Sequence, residues 1–264
     1  MLIKEFVKLG KESLAKEVEG FKRKPHLLIV QANENPASDA YIRGKIKDAE
    51  EIGAKATLLR FPVTISEDEL VQAIQEANVN PEYDGIIVQL PLPRHISEAK
   101  IKITVSPEKD VDGFHPLGSF DPCTPKGIID YLESEGFAFE GKNAVVLGRS
   151  EIVGKPMARL LLKRSCNVTV LHSKTSEQDK AFYIGHADLI VVAIGREGFL
   201  DTRFSYKPDA FVVDVGINRG KDGKLHGDAI PNLPVAKQTP VPGGVGLLTR
   251  FALMENLIRA YKKQ

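Results

Sequence analysis

The chain has 264 residues, 42% of them hydrophobic and 27% charged, which is enough apolar material for two lobes with cores of their own. Its 36 basic and 35 acidic residues nearly cancel, so no bulk field draws it to nucleic acid or an anionic membrane, and any anion site must be local. The longest apolar stretch, 189–195, is far too short to span a bilayer, and the opening MLIKEF has no signal-peptide core, so the expected location is the cytoplasm.

Apolar runs alternate with helical periodicity along most of the sequence, a pattern of parallel sheets covered by helices and hence an α/β class. In chain order the first expected strand is 27–31, followed by a helix over 38–52 and a strand at 56–60. A second helix starts at Ser66, where Ser66-x-x-Glu69 has the form of a capping box, and a strand follows at 85–89. Residues 112–125 (DGFHPLGSFDPCTP) concentrate Gly and Pro and read as a linker. Beyond it come a helix at 125–135, a strand at 144–147, a helix at 154–164 and strands at 168–171, 189–193 and 211–215. A second break covers 240–246 and a last helix 247–262. The expected organisation is an N-terminal α/β lobe, 1–121, a dinucleotide-binding lobe, 122–245, and a final helix, 246–264, that returns to the first lobe.

The run AVVLGRSEIVGKP places a strand directly before a Gly148-x-Ser150-x-x-x-Gly154 loop that opens a helix. Such a junction offers backbone N–H groups and a positive dipole end to a pyrophosphate. An ordinary strand-to-helix turn has the same outline, because Ser150 replaces one glycine of the usual fingerprint and Gly154 comes one place late. The next strand ends in LHSKT, where a site selective for NAD normally carries Asp or Glu for the ribose hydroxyls. His172, Ser173 and Lys174 stand there instead, with Arg149 in the loop, a set suited to a 2′-phosphate and therefore to NADP.

Tyr41 and Lys45 are four apart in a helical stretch and so share a face, where a phenol and an amine together orient and move a proton. A solvated helix face has the same spacing. Gln89 ends an otherwise apolar strand, the end that faces the ligand crevice in open parallel sheets, although a strand-end Gln also serves loop backbone. Asp112 lies in KDVDG, where Asp-Gly is common in turns; turned to a crevice, its carboxylate would accept two N–H bonds from a planar heterocycle. Cys123 and Cys166 are too few and too far apart for a disulfide framework, and the six histidines show no ligand spacing, so buried thiols and no metal are expected.

Read in order, the segments NPASDAYIRGKIKDAEEIGA, DGIIVQLPLP, PEKDVDGFHP, PCTPKGI, GRSEIVGKPMARLLL, TVLHSKT, ADLIVVAIG, VVDVGIN and TPVPGGVG resemble the bifunctional methylenetetrahydrofolate dehydrogenase/methenyltetrahydrofolate cyclohydrolase family from end to end. The resemblance implies a Rossmann-like second lobe, oxidation of 5,10-methylenetetrahydrofolate with NADP+, hydrolysis of the product to 10-formyltetrahydrofolate, and a homodimer associating through the nucleotide lobe. It also implies site roles. Tyr41, Lys45, Gln89 and Asp112 match the folate-site residues, with Val88, Leu90, Pro242, Gly243 and Gly244 beside the substrate. Gly148, Arg149, Ser150, Ser173 and Ile217 match the NADP contacts. The chain departs from the pattern at Gly44, where Ser is usual, at Asp48, where Cys is usual, and at Leu247 and Leu248 within the common GPMT, and its 116–122 stretch is short.

Two rival readings accommodate the dinucleotide loop alone. One is a hydroxy- or amino-acid dehydrogenase with Lys45 at a carbonyl, which leaves VQLPLP and KDVDG unexplained. The other is a non-catalytic dinucleotide sensor, which leaves the intact Tyr41, Lys45, Gln89 and Asp112 set unexplained.

Overall fold

The inner strands form where the apolar runs predict them, because they are buried on both faces and need helices on both, whereas the edge strands 55–60 and 167–171 remain partly exposed. The computed structural model describes residues 1–264. In chain order the elements are α1 (Ile3–Glu19), β1 (His26–Gln31), α2 (Pro36–Glu51), β2 (Lys55–Arg60), α3 (Glu67–Val79), β3 (Gly85–Gln89) and α4 (Glu98–Thr104). They continue as α5 (Cys123–Ser134), β4 (Asn143–Leu147), α6 (Gly154–Lys163), β5 (Asn167–Leu171), α7 (Glu177–His186), β6 (Leu189–Val192) and β7 (Phe211–Asp214). The last are the two-residue strands β8 (Asn218–Arg219), β9 (Leu225–His226) and β10 (Lys237–Gln238), then α8 (Val245–Tyr261). The chain forms two units, Met1–Phe6 with Thr124–Thr249 and Val7–Cys123 with Arg250–Gln264.

In the unit built from Val7–Cys123 and Arg250–Gln264, three parallel strands lie in the order β2-β1-β3. Alternation along the strand divides β1 between two cores. Leu27 and Ile29 join Ile42 of α2 and Leu253, Leu257 and Ile258 of α8, whereas Leu28 and Val30 join Leu70 and Ile74 of α3 and Ile101 of α4. Burying such a leucine or isoleucine side chain contributes roughly 1.5–3 kcal/mol. The final helix thus packs where the sequence expects it, over the first sheet and against α1, where Gly10 faces the Phe251 ring so closely that a Cβ would fall on it. Helix α3 starts in the expected capping box, with Glu69 N donating to Ser66 Oγ and Ser66 N to Glu69 Oε2.

The other unit carries five parallel strands in the order β10-β7-β6-β4-β5. Because β4 continues to β5 on one side while β6 lies on its other side, the winding direction reverses at β4. Ligands bind outside the carboxyl ends of strands at such a switch point. Cys123 and Cys166 are buried free thiols, as expected. No helix is long and apolar enough to cross a membrane. Helices α1, α4 and α7 and the three two-residue strands are additions to the elements expected from periodicity.

Candidate active site

Helix α2 is placed by its own first turn. Asn35 Oδ1 accepts from Ala37 N at 2.9 Å and Pro36 opens the helix, so the chain enters α2 at a fixed angle beside the end of β3. Ser38 Oγ donates to Leu90 O at 3.2 Å, and Asn33 Nδ2 donates to Gln89 O and Pro91 O at 3.3 and 2.9 Å, which ties the loop after β3 to α2. About two turns beyond Ser38, Lys45 Nζ donates to Gln89 Oε1 at 3.0 Å. The other end of that amide is fixed as well, since Gln89 Nε2 donates to Leu90 O at 2.8 Å. Lys45 is only 9% exposed, so the solvated-face reading of its spacing does not hold.

Asp112 reaches the same place from the far side of β3. Ile86 N donates to Lys109 O at 2.7 Å and Ile86 bridges to Asp110, so the 109–112 segment runs beside β3. Burial pushes the Asp112 carboxyl up from its ordinary range, opposed by the Lys45 ammonium, a hydrogen bond from Cys123 and the charge of Lys102. Its neighbour Asp110 is pushed up to about 6, chiefly by burial, although His115 N and Gly113 N donate to it at 2.5 and 3.2 Å. Tyr41 is half-buried; burial raises its phenol while the Arg250 charge lowers it. Val88 and Leu90 line a small cavity with Asp112 and Phe114. Tyr41, Lys45, Val88, Gln89, Leu90 and Asp112 therefore all belong to one unit, and Lys45, Gln89 and Asp112 form one electrostatic cluster in it. Pro242, Gly243 and Gly244 belong to the other unit, in the loop between β10 and α8, where Gly243 has a φ of 90° and a Cβ on Gly244 would strike Pro240 O.

In that second unit Gly148 follows β4 with a φ of 116°, and its N–H donates to Leu171 O at 2.9 Å, which holds the loop next to the end of β5. Gly154 packs on Gly148 O so tightly that a Cβ there has no room. Ser150 Oγ accepts from Val153 N and Gly154 N at 3.2 and 3.3 Å, so the serine at the second-glycine place closes the start of α6. Arg149, Ser173 and Lys174 are exposed along this edge, with His172 half-buried, and the edge after β5 holds no carboxylate from Leu171 to Ser176. Ile217, 48% exposed, follows β7. Glycine clearance and a cationic, hydroxyl-bearing edge fit a dinucleotide with an extra phosphate.

Sequence reasoning missed two residues that shape this edge. Asp228, fully buried, accepts from Ile194 N, Gly195 N, Arg196 N and Asn218 Nδ2 at 2.7–2.9 Å, and so fixes the loop after β6 to the residue following Ile217. Asp214 in turn accepts from Gly216 N, Asp228 N and Ala229 N at 2.8–3.0 Å. A Cβ on Gly216 would strike the Asp228 carboxylate, and one on Gly227 the Asp214 carboxylate, so each acid needs the other's glycine. The signals were two Asp–Gly neighbours, DVG and GD, whose partnership is visible only once the chain is folded.

Comparison with known proteins agrees with both halves. Residues 2–112 match the family described as tetrahydrofolate dehydrogenase/cyclohydrolase, catalytic domain, and residues 122–264 match its NAD(P)-binding domain. Bifunctional protein FolD of Bacillus pumilus is 44% identical over 277 aligned residues, covering 98% of this chain and 96% of that protein. The crystal structure of the bifunctional enzyme FolD, methylenetetrahydrofolate dehydrogenase/cyclohydrolase, from Campylobacter jejuni is similar with a TM-score of 0.95 at 37% identity, over 98% of this chain and 97% of that one. The N5,N10-methylenetetrahydrofolate dehydrogenase-cyclohydrolase of Trypanosoma brucei, solved with NADP cofactor and inhibitor, is similar with a TM-score of 0.93 at 30% identity, over 100% and 97% of the two chains. With two domain matches in the right order and near-complete coverage, the chain belongs to the tetrahydrofolate dehydrogenase/cyclohydrolase family.

Proposed function

We propose that this chain oxidises 5,10-methylenetetrahydrofolate to 5,10-methenyltetrahydrofolate with NADP+ and then hydrolyses the methenyl compound to 10-formyltetrahydrofolate. The observation that carries the reading is the Lys45 Nζ–Gln89 Oε1 hydrogen bond beside the raised Asp112 carboxyl. Neither a carbonyl reductase nor a dinucleotide sensor needs that trio.

NADP+, when bound, supplies the hydride acceptor. Gly148, Arg149, Ser150, Ser173 and Ile217 are the residues that would hold it, on the support of glycine clearance and the cationic edge. The bridging carbon of the substrate carries a nitrogen on each side, and their lone pairs stabilise the cation that hydride loss leaves. That step needs no strong base, and the protein contributes positioning. Asp112 accepts from the pterin amide and amino N–H groups, and Tyr41 lies against the folate, with Val88 and Leu90 beside it. Hydrolysis needs a proton moved. A positive methenyl carbon disfavours a second positive charge on Nζ, so the neutral amine of Lys45 takes a proton from the attacking water. It returns that proton to the ring nitrogen as the carbon–nitrogen bond breaks, while the remaining hydroxyl proton is released to solvent and the formyl carbonyl forms. Gln89 holds the amine in place throughout.

Folate binding and catalysis fall to 1–121 with 246–264, and dinucleotide binding to 122–245. The working form is a homodimer joined through the nucleotide-binding unit; support comes from the exposed Leu162, Val170, Phe182 and Tyr183 on α6, β5 and α7. The location is the cytoplasm, in accord with two free thiols. One assay tests the activity. Purified protein given 5,10-methylenetetrahydrofolate and NADP+ should form NADPH and the methenyl compound together, followed by decay of the methenyl species faster than in buffer. Dinucleotide binding without turnover would overturn the reading in favour of a sensor.

A further inference from the structure

Gly44, a departure from the family pattern, has a specific neighbour. A Cβ built on it would fall on Nη1 and Cζ of Arg250, the first residue of α8 that belongs to this unit, so the missing side chain is what lets the guanidinium lie on α2. The second departure completes the arrangement. Asp48, buried one turn further along the same stripe, pairs with Arg250 Nε at 3.1 Å and with Lys11 through its other oxygen. Gly44, Asp48 and Arg250 are thus a single fitted set.

Within that set only Nε of Arg250 is engaged. Its Nη1 and Nη2 form no hydrogen bond, and the side chain is 21% exposed. Tyr41 is three residues before Gly44 and four before Lys45, so it lies between the two cations on the helix surface, Lys45 on the β3 side and Arg250 on the α8 side. Tyr41 is also close enough for the Arg250 charge to act on its phenol. A flat molecule anchored at Asp112, with its reacting carbon at Lys45, leaves across Tyr41 and meets two unpaired, parallel guanidinium N–H groups. That fork matches a carboxylate in bidentate fashion, which a lysine does not.

We infer that Arg250 is a substrate-binding residue that takes a carboxylate of the substrate's glutamate tail. This rests on the folate reading above. Because Lys11 still pairs with Asp48 when Arg250 is removed, the substitution leaves no buried carboxylate unpartnered.

The test compares 5,10-methylenetetrahydrofolate with the tetrahydropteroate analogue that lacks glutamate, in wild type, Arg250→Met and Arg250→Lys. Wild type should show a KM lower by on the order of tenfold for the glutamate-bearing form, the size expected of charged hydrogen bonds. Arg250→Met should lose that ratio with kcat and NADP+ affinity kept, and Arg250→Lys should recover only part of it. Equal changes for both substrates, or no change for either, would overturn the subsite and leave the dehydrogenase reading intact. Wild-type protein that turned over neither substrate would overturn both. If Arg250→Met does not fold, Arg250→Lys carries the test, since it keeps a cation on Asp48 and loses the fork.

Discussion

Lys45 Nζ sits 3.0 Å from Gln89 Oε1, and because Gln89 Nε2 is committed to Leu90 O at 2.8 Å, the amide cannot turn over to repel the lysine. The oxygen that faces Lys45 is therefore set by the backbone of the loop after β3. Lys45→Met should leave hydride transfer measurable and lower cyclohydrolase turnover by about 10²–10⁴, the range of a lost general base. Gln89→Glu should act in the same direction, since a carboxylate there retains the ammonium form. NADPH production with accumulation of the methenyl compound is the expected record; undiminished hydrolysis by Lys45→Met would remove Lys45 from the mechanism.

Asp112→Ala should weaken folate binding by about 2–3 kcal/mol, the scale of a lost charged hydrogen-bond pair, with NADP+ affinity unchanged. Isothermal titration of each ligand checks this. Loss of both affinities together would indicate a misfolded chain and not a missing anchor.

The pH dependence of stability reports on Asp110. Its pKa is lifted from 3.8 to about 6 in the folded chain, so the folded state binds the proton more tightly than the unfolded state does. The contribution is fully present below about pH 4 and is lost as pH rises through 6. Relative to Asp110→Asn, wild type should lose up to about 3 kcal/mol between pH 4 and pH 7. Urea unfolding at four pH values measures the difference, and a wild type that gained on the variant over that interval would contradict the assignment.

Asp228→Asn should be more damaging than its conservative appearance suggests. It turns one of the two carboxylate oxygens into an NH2 donor facing two N–H groups and removes the charge that all four share, at a cost of about 3 kcal/mol or more. Asn218→Ala removes one of the four and should fold. Its KM for NADP+ should rise several-fold with folate KM unchanged, and an equal rise in both would deny the loop its part in dinucleotide binding.

The inner strands and the helix that carries Tyr41 and Lys45 were legible in the sequence because each rests on short-range information. Two-sided burial writes β1, β3, β4, β6 and β7 as unbroken apolar runs, and the four-residue spacing of Tyr41 and Lys45 needs only a helix. Helix α7 was missed although Ser176 caps it through Asp179 N at 3.0 Å, because its apolar residues lack a clear period. Strand β10 has no signal of its own, since two residues become a strand only by pairing with β7. The partnerships of Asp214 with Gly227, and of Arg250 with Gly44, join residues 13 and 206 positions apart, and no local pattern encodes them.

The paired carboxylates also set how this part of the molecule opens. Ile194, Gly195 and Arg196 hand their amide protons to one carboxylate, whose own backbone N–H is held by Asp214. Those amides should therefore exchange with deuterium in a single cooperative event, slower than loop amides as a class. A loop that surface position alone would make the first to fray is tied to the sheet that bears it.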